Sequence, residues 1–249
     1  MELKDNERLD YVNDSLSLIQ NTEGLTFGTD ALLLAGYIRS GYGTATELGG
    51  GTGIISMLLA SRGKAKRISC VEIQEEYAEL IGRNISHNGL DDKVGCVLSD
   101  IREYTAAECD LVFTNPPYMR ADTGRQNKIS KKNITRHEIH GGLSDFLGAA
   151  KRLLRWGGDF YAVYRTDRLT DMISEMRLSG IEPKRLTTVH ADTISPPSMF
   201  LIEGRRGGGV GLRVTMPLFI YSDPSHKEYS EDMKYILEHG EFKEDFAVK

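Results

Sequence analysis

Cysteine is scarce in this chain of 249 residues: there are three, and no two of them form a CxxC pair. Cys70, Cys96 and Cys109 each sit in or beside an apolar, strand-like segment. A disulfide framework and a zinc ribbon are therefore excluded, and buried thiols are expected. Six histidines are scattered without an HExxH or related spacing, so no metal site is expected. The GxxxxGK[ST] phosphate loop is missing, and with it the nucleoside triphosphatases. Long apolar runs are missing too. The longest helix-like one, Ala31 to Ile38, falls far short of the roughly 18–20 residues that span a bilayer. The first residues, Met1-Glu2-Leu3-Lys4-Asp5, are charged and lack a signal peptide's apolar stretch, which makes the cytoplasm the expected compartment. A formal charge of −5 argues against a protein coated all over in nucleic acid. It leaves room for a local basic patch, because net charge says nothing about distribution.

What the chain does contain is an alternation of strand-like and helix-like segments, which predicts a mostly parallel sheet covered on both faces. Thr29 or Asp30 can cap a helix running to about Arg39. Strands are expected at Thr44–Leu48, Arg67–Ile73, Val94–Leu98 and Asp110–Phe113, with helices at Ile54–Ser61 and about Gln74–Asn88, the latter stopped by Gly89. After a polar, basic loop, Leu143, Phe146, Leu147, Ala150, Leu153 and Leu154 form one apolar helix face. Trp156-Gly157-Gly158 is expected to turn the chain into a strand at Phe160–Tyr164. Another amphipathic helix and two or three further strands, near 185–189, 199–202 and 212–217, follow, and a short acidic helix and tail begin near Tyr229. No internal repeat or linker divides the chain. One domain is expected over 1–249, with an N-terminal segment (1–43), a core (44–220) and a C-terminal tail (221–249).

Glu47-Leu48-Gly49-Gly50-Gly51-Thr52-Gly53 joins a strand to a helix. Glycines let the backbone turn sharply and come close to a ligand. The spacing is not the dinucleotide G-x-G-x-x-G, since Ile54 stands where its third glycine is needed. Gly49, Gly51 and Gly53 instead form G-x-G-x-G, with an acid two residues upstream. S-adenosylmethionine has no pyrophosphate for a helix terminus to hold; it carries an ammonium, a carboxylate, a sulfonium, a ribose and an adenine. Glu47, ending the first core strand, suits the ammonium. Glu72, 19 residues after Gly53 and closing the second, suits a ribose diol. Asp100, after the third, suits the adenine amine. Three acids in register after three consecutive strands favour this cofactor over a bare turn.

Asn115-Pro116-Pro117-Tyr118 follows the fourth strand, on the same sheet edge as the glycine loop. The exocyclic nitrogen of adenine is a poor nucleophile because its lone pair is delocalised into the ring. The Asn115 side-chain oxygen and the Pro116 carbonyl can each accept one of its N–H bonds, favouring a pyramidal nitrogen aimed at the methyl donor. The prolines fix φ and hold that carbonyl in place, and Tyr118 offers a face on which an extruded base can stack. Asn115 is counted with the cofactor-binding residues as well. Ser195-Pro196-Pro197-Ser198 is similar to the S-P-P-aromatic form of cytosine amino methyltransferases, but Ser198 is not aromatic, and a structural turn is expected there.

Phe27-Gly28-Thr29-Asp30, the E-x-G-x-G loop, Val71-Glu72-Ile73-Gln74 and Asn115-Pro116-Pro117-Tyr118, in that order, resemble the bacterial adenine-N6 methyltransferases acting on valine tRNA. Arg136-His137-Glu138 is similar to a segment of the same family. The resemblance covers about Leu25 to Gly208. It implies a Rossmann-like α/β fold of the class I methyltransferases, with a seven-stranded, mostly parallel sheet and helices on both faces. It implies as target the adenine beside the anticodon, and that Phe27 and Asp30 help frame the cofactor. Arg120, Arg125, Lys128, Lys131, Lys132 and Arg136, against the single acid Asp122, suit the phosphates flanking a flipped base. Arg205, Arg206 and Arg213 are candidates to extend that surface. A protein-glutamine methyltransferase like those modifying release factors also carries NPPY, but with an extra helical domain before the core, whereas about two dozen residues precede Phe27 here. The third alternative is an RNA-binding adaptor that keeps the fold without catalysis.

Overall fold

The computed structural model describes residues 3–24, 26–117 and 141–246. Its elements run β1 (Glu7–Asn13), β2 (Leu16–Asn21), α1 (Thr29–Tyr37), β3 (Tyr42–Leu48), α2 (Ile54–Ser61), β4 (Ala65–Glu72), α3 (Glu75–His87), β5 (Val94–Leu98) and β6 (Cys109–Thr114). Then come α4 (Leu143–Leu153), β7 (Leu154–Arg165), α5 (Leu169–Leu178), β8 (Ile181–His190), β9 (Pro197–Arg206), β10 (Arg213–Val214), β11 (Leu218–Phe219) and α6 (Glu231–His239). No helix among the described residues is long and apolar enough to cross a membrane.

The main sheet has the order β10-β8-β9-β7-β6-β3-β4-β5, with β11 also paired to β8. All its pairings are parallel except those of β9, which runs antiparallel between β7 and β8. Strands stand at every expected position; the one near 212–217 is the two-residue β10, and with the equally short β11 the sheet has nine strands rather than the seven that the resemblance implies. Residues alternate between the two faces with the period of two that strands impose. Leu111, Phe113, Tyr161, Val163 and Leu201 face a core shared with α1, α2, α3 and α6. Val112, Phe160, Ala162, Phe200 and Ile202 face a second core shared with α4 and α5. Runs of apolar residues therefore bury both sides of the sheet, as a parallel sheet between two helical layers requires.

Three expectations are corrected. Trp156-Gly157-Gly158 is no turn: β7 is continuous, and the extra residues form a bulge against β6 between Cys109 and Leu111. Gly157 there takes a left-handed φ of 78°, and a Cβ on Gly158 would press on the carbonyls of Arg155 and Asp110 at 2.9 and 3.1 Å. Neither Thr29 nor Asp30 is the N-cap of α1; Gly28 is, with no side chain to offer. The N-terminal residues form an antiparallel hairpin, β1–β2, where no strand was expected. The halt at Gly89 is as anticipated, with a left-handed φ of 62° just past α3.

The hairpin docks on α3 through side-chain amides. The Ile19 N–H donates to Asn84 Oδ1 at 2.7 Å, while Asn84 Nδ2 donates back to the Ile19 carbonyl at 3.0 Å. One helical turn on, the Ser17 N–H donates to Asn88 Oδ1 at 3.1 Å and Asn88 Nδ2 to the Ser17 carbonyl at 2.8 Å. A four-residue step on a helix face thus matches a two-residue step on a strand. Both amides take the place of a neighbouring strand and satisfy backbone groups of β2 that would otherwise be left unpaired. The Arg83 guanidinium adds a forked pair to Glu7 at 2.5 and 2.8 Å.

Candidate active site

The chain winds from β3 outward through β4 and β5, then returns to lay β6 on the other side of β3. Such a reversal opens a crevice at the carboxyl ends of the two strands on either side of it, where open α/β sheets bind their ligands. Here those ends carry the glycine loop and Asn115. Thr114, fully buried, donates its hydroxyl to the Leu48 carbonyl at 2.8 Å and fastens the two strand ends together. Within the loop the N–H groups of Gly49 and Gly50 both donate to the Val71 carbonyl, at 2.9 and 3.0 Å. Gly49, Gly51 and Gly53 take φ of 75°, 56° and 76°, where a side chain would be strained. Gly50 is glycine for a different reason: a Cβ there would overlap the Cys70 sulfur beneath it. A Cβ on Gly51 would meet nothing within 4 Å, so the loop presents open space on that side.

The three acids expected after β3, β4 and β5 are in place but differ in surroundings. Glu72, 4% exposed, closes β4 under the loop. Its Oε2 accepts the Gly51 N–H at 2.8 Å, and its Oε1 accepts the N–H groups of Ile73 and Gln74 at 3.0 and 2.9 Å. Loop and acid are thereby fixed to each other. Glu47 lies deeper, 1% exposed. It accepts the Ser56 N–H at 3.2 Å, the Ser56 hydroxyl and the Cys70 thiol at 3.5 Å. Burial pushes its carboxyl up to about 7, the bonds from Ser56 and Cys70 oppose the rise, and the charge of Glu72 adds to it. Burial likewise pushes the Cys70 thiol well above the ordinary range. A carboxyl so enclosed braces the N-terminus of α2 from beneath. The ammonium contact expected of Glu47 would have to reach a carboxyl that Ser56 and Cys70 already engage.

Asp100 also stands where expected, after β5, and carries a partner the sequence reading did not foresee. Arg102 grips both of its oxygens and donates its own N–H to Oδ1 at 2.8 Å. Those hydrogen bonds, led by the guanidinium, hold the Asp100 carboxyl below the usual range. A ligand amine at Asp100 would share an acceptor that already has a cation.

Asn115 is half-buried at the end of β6, and its Nδ2 donates to Asp30 Oδ2 at 3.0 Å. Asp30 sits in the first turn of α1, where Oδ1 accepts the Ala31 N–H at 2.9 Å. A Cβ on Gly28 would come within 2.7 Å of that Oδ1, so the glycine leaves the carboxylate its room. Phe27 packs half-buried against the core on the α1 side, and its N–H donates to Gln20 Oε1 at 2.9 Å. Pro116 is buried and Pro117 exposed. Phe27-Gly28-Thr29-Asp30 and Asn115, far apart in sequence, thus meet at one corner of the crevice. Tyr118 and the basic residues Arg120, Arg125, Lys128, Lys131, Lys132 and Arg136 lie outside the described residues.

Arg205 and Arg206 do not extend a surface around this crevice. Because β9 is antiparallel, its last residues lie at the opposite edge of the sheet, where they pair with Asp159 at 2.9 Å and Glu108 at 3.0 Å. Arg213 starts the outermost strand, β10, at the far end of the sheet order from β4 and β5, and is exposed. Two surface concavities, one between α3 and β5 and one at the amino ends of β3 and β4, also lie away from the crevice. Sequence reasoning missed Thr114, Ser56, Arg102 and Gln20, since single polar residues carry no periodic signal. Asn84 and Asn88 did leave one: two asparagines four apart on the apolar side of an amphipathic helix.

A family model described as methyltransferase small domain matches residues 22–177. A protein of Dyadobacter fermentans named tRNA1(Val) (adenine(37)-N6)-methyltransferase is 28% identical over 148 residues, covering 59% of this chain and 61% of that one. Proteins of the same name from Phocaeicola vulgatus and Aeromonas hydrophila are 28% and 32% identical, over 70% and 56% of this chain and 74% and 59% of theirs. The chain thus spans less than two thirds of the first of these relatives. Among solved structures, a predicted O-methyltransferase of Agrobacterium tumefaciens superposes with a TM-score of 0.68 at 19% identity, covering 85% of this chain and 96% of that one. A tRNA m1G37 methyltransferase of M. jannaschii superposes with a TM-score of 0.57 at 16% identity, over 82% and 58%. At such identities the structures speak for the fold.

Proposed function

The chain belongs to the methyltransferase small domain family, and on that footing we propose that it transfers a methyl group from S-adenosylmethionine to the exocyclic N6 of an adenine in tRNA, beside the anticodon. The observation that carries this reading is the Asn115 amide at the carboxyl end of β6, tied to Asp30 and joined through Thr114 to the glycine loop. The relatives bearing the valine-tRNA name lend the substrate class.

The residues fit the cofactor. Gly49, Gly51 and Gly53 keep the loop in backbone conformations that only glycine adopts freely, with open space over Gly51. Glu72 would hold a ribose diol, Asp100 would meet the adenine edge, and Glu47 would support the loop from beneath. When bound, S-adenosylmethionine supplies an electrophilic methyl group, and the electron pair of the broken C–S bond stays on sulfur.

The remaining chemistry falls to the chain's own groups. Asn115 Oδ1 and the Pro116 carbonyl accept the two N–H bonds of the substrate amine, drawing its lone pair out of the ring and aiming it. Tyr118 stacks on the extruded base, and the surplus proton on the methylated nitrogen leaves to solvent. Lys128, Lys131 and Lys132, with the neighbouring arginines, meet the flanking phosphates.

The test gives purified protein labelled cofactor with unmodified tRNA and, separately, with a release factor. Label in N6-methyladenosine of the tRNA is the expected outcome. Label in the release factor alone would replace the substrate with a glutamine amide and leave the fold in place. Label in neither would favour an adaptor.

A further inference from the structure

A side-chain amide has two ends of opposite character, an oxygen that accepts and an NH2 that donates. Asn115 can serve a substrate amine in one orientation only. Turned by 180°, it would point hydrogens at hydrogens. An isolated asparagine at a strand end has little to choose between the two.

Here the choice is made by Asp30. Its carboxylate has no hydrogen to give, so the 3.0 Å bond from Asn115 Nδ2 to Oδ2 exists in one amide orientation alone. That orientation turns Oδ1 away from Asp30. The carboxylate is itself fixed by the Ala31 N–H at the start of α1 and is accommodated by the missing side chain of Gly28. The family resemblance implies that Asp30 helps frame the cofactor; the geometry also attaches it to Asn115. Resting on the reading of Asn115 above, we propose that Asp30 is a positioning residue that sets the Asn115 amide with its oxygen toward the substrate amine, and that position 28 is glycine to admit that carboxylate. The pairing also polarises the amide. Electron density on Oδ1 rises where the substrate nitrogen gains positive charge during transfer, and a preorganised acceptor is most effective there.

The test is a double-mutant cycle on the full chain, with kcat on unmodified tRNA and calorimetric cofactor affinity measured in parallel. Asp30→Asn removes the obligate acceptor, and losing a charge-assisted bond predicts a fall in kcat of about ten- to hundredfold. Cofactor affinity stays within about twofold, because the lost partner is Asn115. In the Asn115→Ala background the same substitution changes kcat by less than about twofold, since nothing remains to orient. Asn115→Asp alone sets two carboxylates against each other and loses activity; combined with Asp30→Asn it regains much of it, because position 30 now donates and position 115 accepts. Gly28→Ala displaces the carboxylate while both residues of the pair are kept, and lowers kcat in the same direction. Independently of turnover, the Asn115 NH2 signals in 15N-correlated spectra shift in Asp30→Asn. Equal fold losses in both backgrounds, or a loss of cofactor affinity with kcat intact, would overturn the positioning role and leave the function standing. A fully active Asn115→Ala would sink both.

Discussion

Replacing Glu47 by glutamine tests whether that carboxyl is a buried brace. It is 1% exposed, and burial is the largest influence on it, raising it from the ordinary 4.5 to about 7 against the opposing bonds from Ser56 and Cys70. At ~1.36 kcal/mol per tenfold, that rise corresponds to roughly 3 kcal/mol of folding free energy. The folded value lies above the unfolded one, so the contribution belongs to the neutral acid. It is fully present below pH 4.5 and is lost as pH rises through 7. Glutamine keeps the shape, still accepts from Ser56 and does not titrate. Urea unfolding at a series of pH values should therefore show the variant gaining on the wild type from pH 4.5 upward. Above about pH 8 the difference should level off, having moved by roughly 3 kcal/mol in the variant's favour from its value below pH 4.5. Lys64, driven down to about 7 by burial, titrates mainly above this window and in both proteins alike, so it cancels in the difference. Two stability curves that stay parallel from pH 4.5 to 8 would refute the reasoning. The same variant decides the ligand question by calorimetry: a brace costs little cofactor affinity, whereas a direct ammonium contact costs about a hundredfold.

Glu72→Ala should weaken cofactor binding by about 3 kcal/mol, since two charge-assisted ribose bonds are lost and the Gly51 N–H loses its acceptor; equal calorimetric affinities would remove Glu72 from the site. Arg185→Met should destabilise the fold by about 3–5 kcal/mol in urea unfolding, because Glu203 would keep a buried charge with, among the described residues, Arg39 at 3.1 Å as its remaining ion-pair partner. That variant also strips donors from the carbonyls of Tyr37 and Phe246, tying α1 and the C-terminal residues to β8, so a loss below about 1 kcal/mol would contradict the geometry. Neutralising Lys128, Lys131 and Lys132 together should flatten the log–log salt dependence of tRNA binding by about 0.7–0.9 per lost phosphate contact, with cofactor affinity unchanged; an unaltered slope would take those lysines off the RNA.

The strands and helices of the sheet were legible because their signals are collective. A buried strand such as Asp110–Phe113 or a helix face such as Leu143 to Leu153 repeats its message every two or every three to four residues, although Leu154, expected on that face, is the first residue of β7. The glycine loop and Asn115-Pro116-Pro117 were legible because backbone conformation restricts residue choice so sharply there. The N-terminal hairpin was not, since β1 and β2 pair only with each other. Leu16 and Leu18 are buried in the main core, but β2 is held by Asn84 and Asn88 from a helix more than sixty residues away rather than by a neighbouring strand of the sheet. Arg205 and Arg206 were misplaced for a topological reason: the local pattern of β9 is the same whichever way the strand runs, and its antiparallel course sends its end to the far edge. Glu47 stands at the strand end the sequence indicates, but its depth was not legible, because it depends on what packs over it.

The hairpin gives the two halves of the crevice a common support. Glu72 fixes the start of α3 through the N–H groups of Ile73 and Gln74. The later turns of α3 hold β2 through Asn84 and Asn88, and Gln20 at the end of β2 holds the backbone of Phe27. One residue further, Gly28 caps α1, and Asp30 reaches Asn115. A continuous set of hydrogen bonds therefore runs from the acid proposed for the cofactor to the amide proposed for the substrate, through a segment outside the sheet. Their separation is fixed by two independent routes, this one and the Thr114–Leu48 link beneath the loop. In-line transfer between two bound molecules needs such over-determination, because an error of about 1 Å in approach costs on the order of a hundredfold in rate.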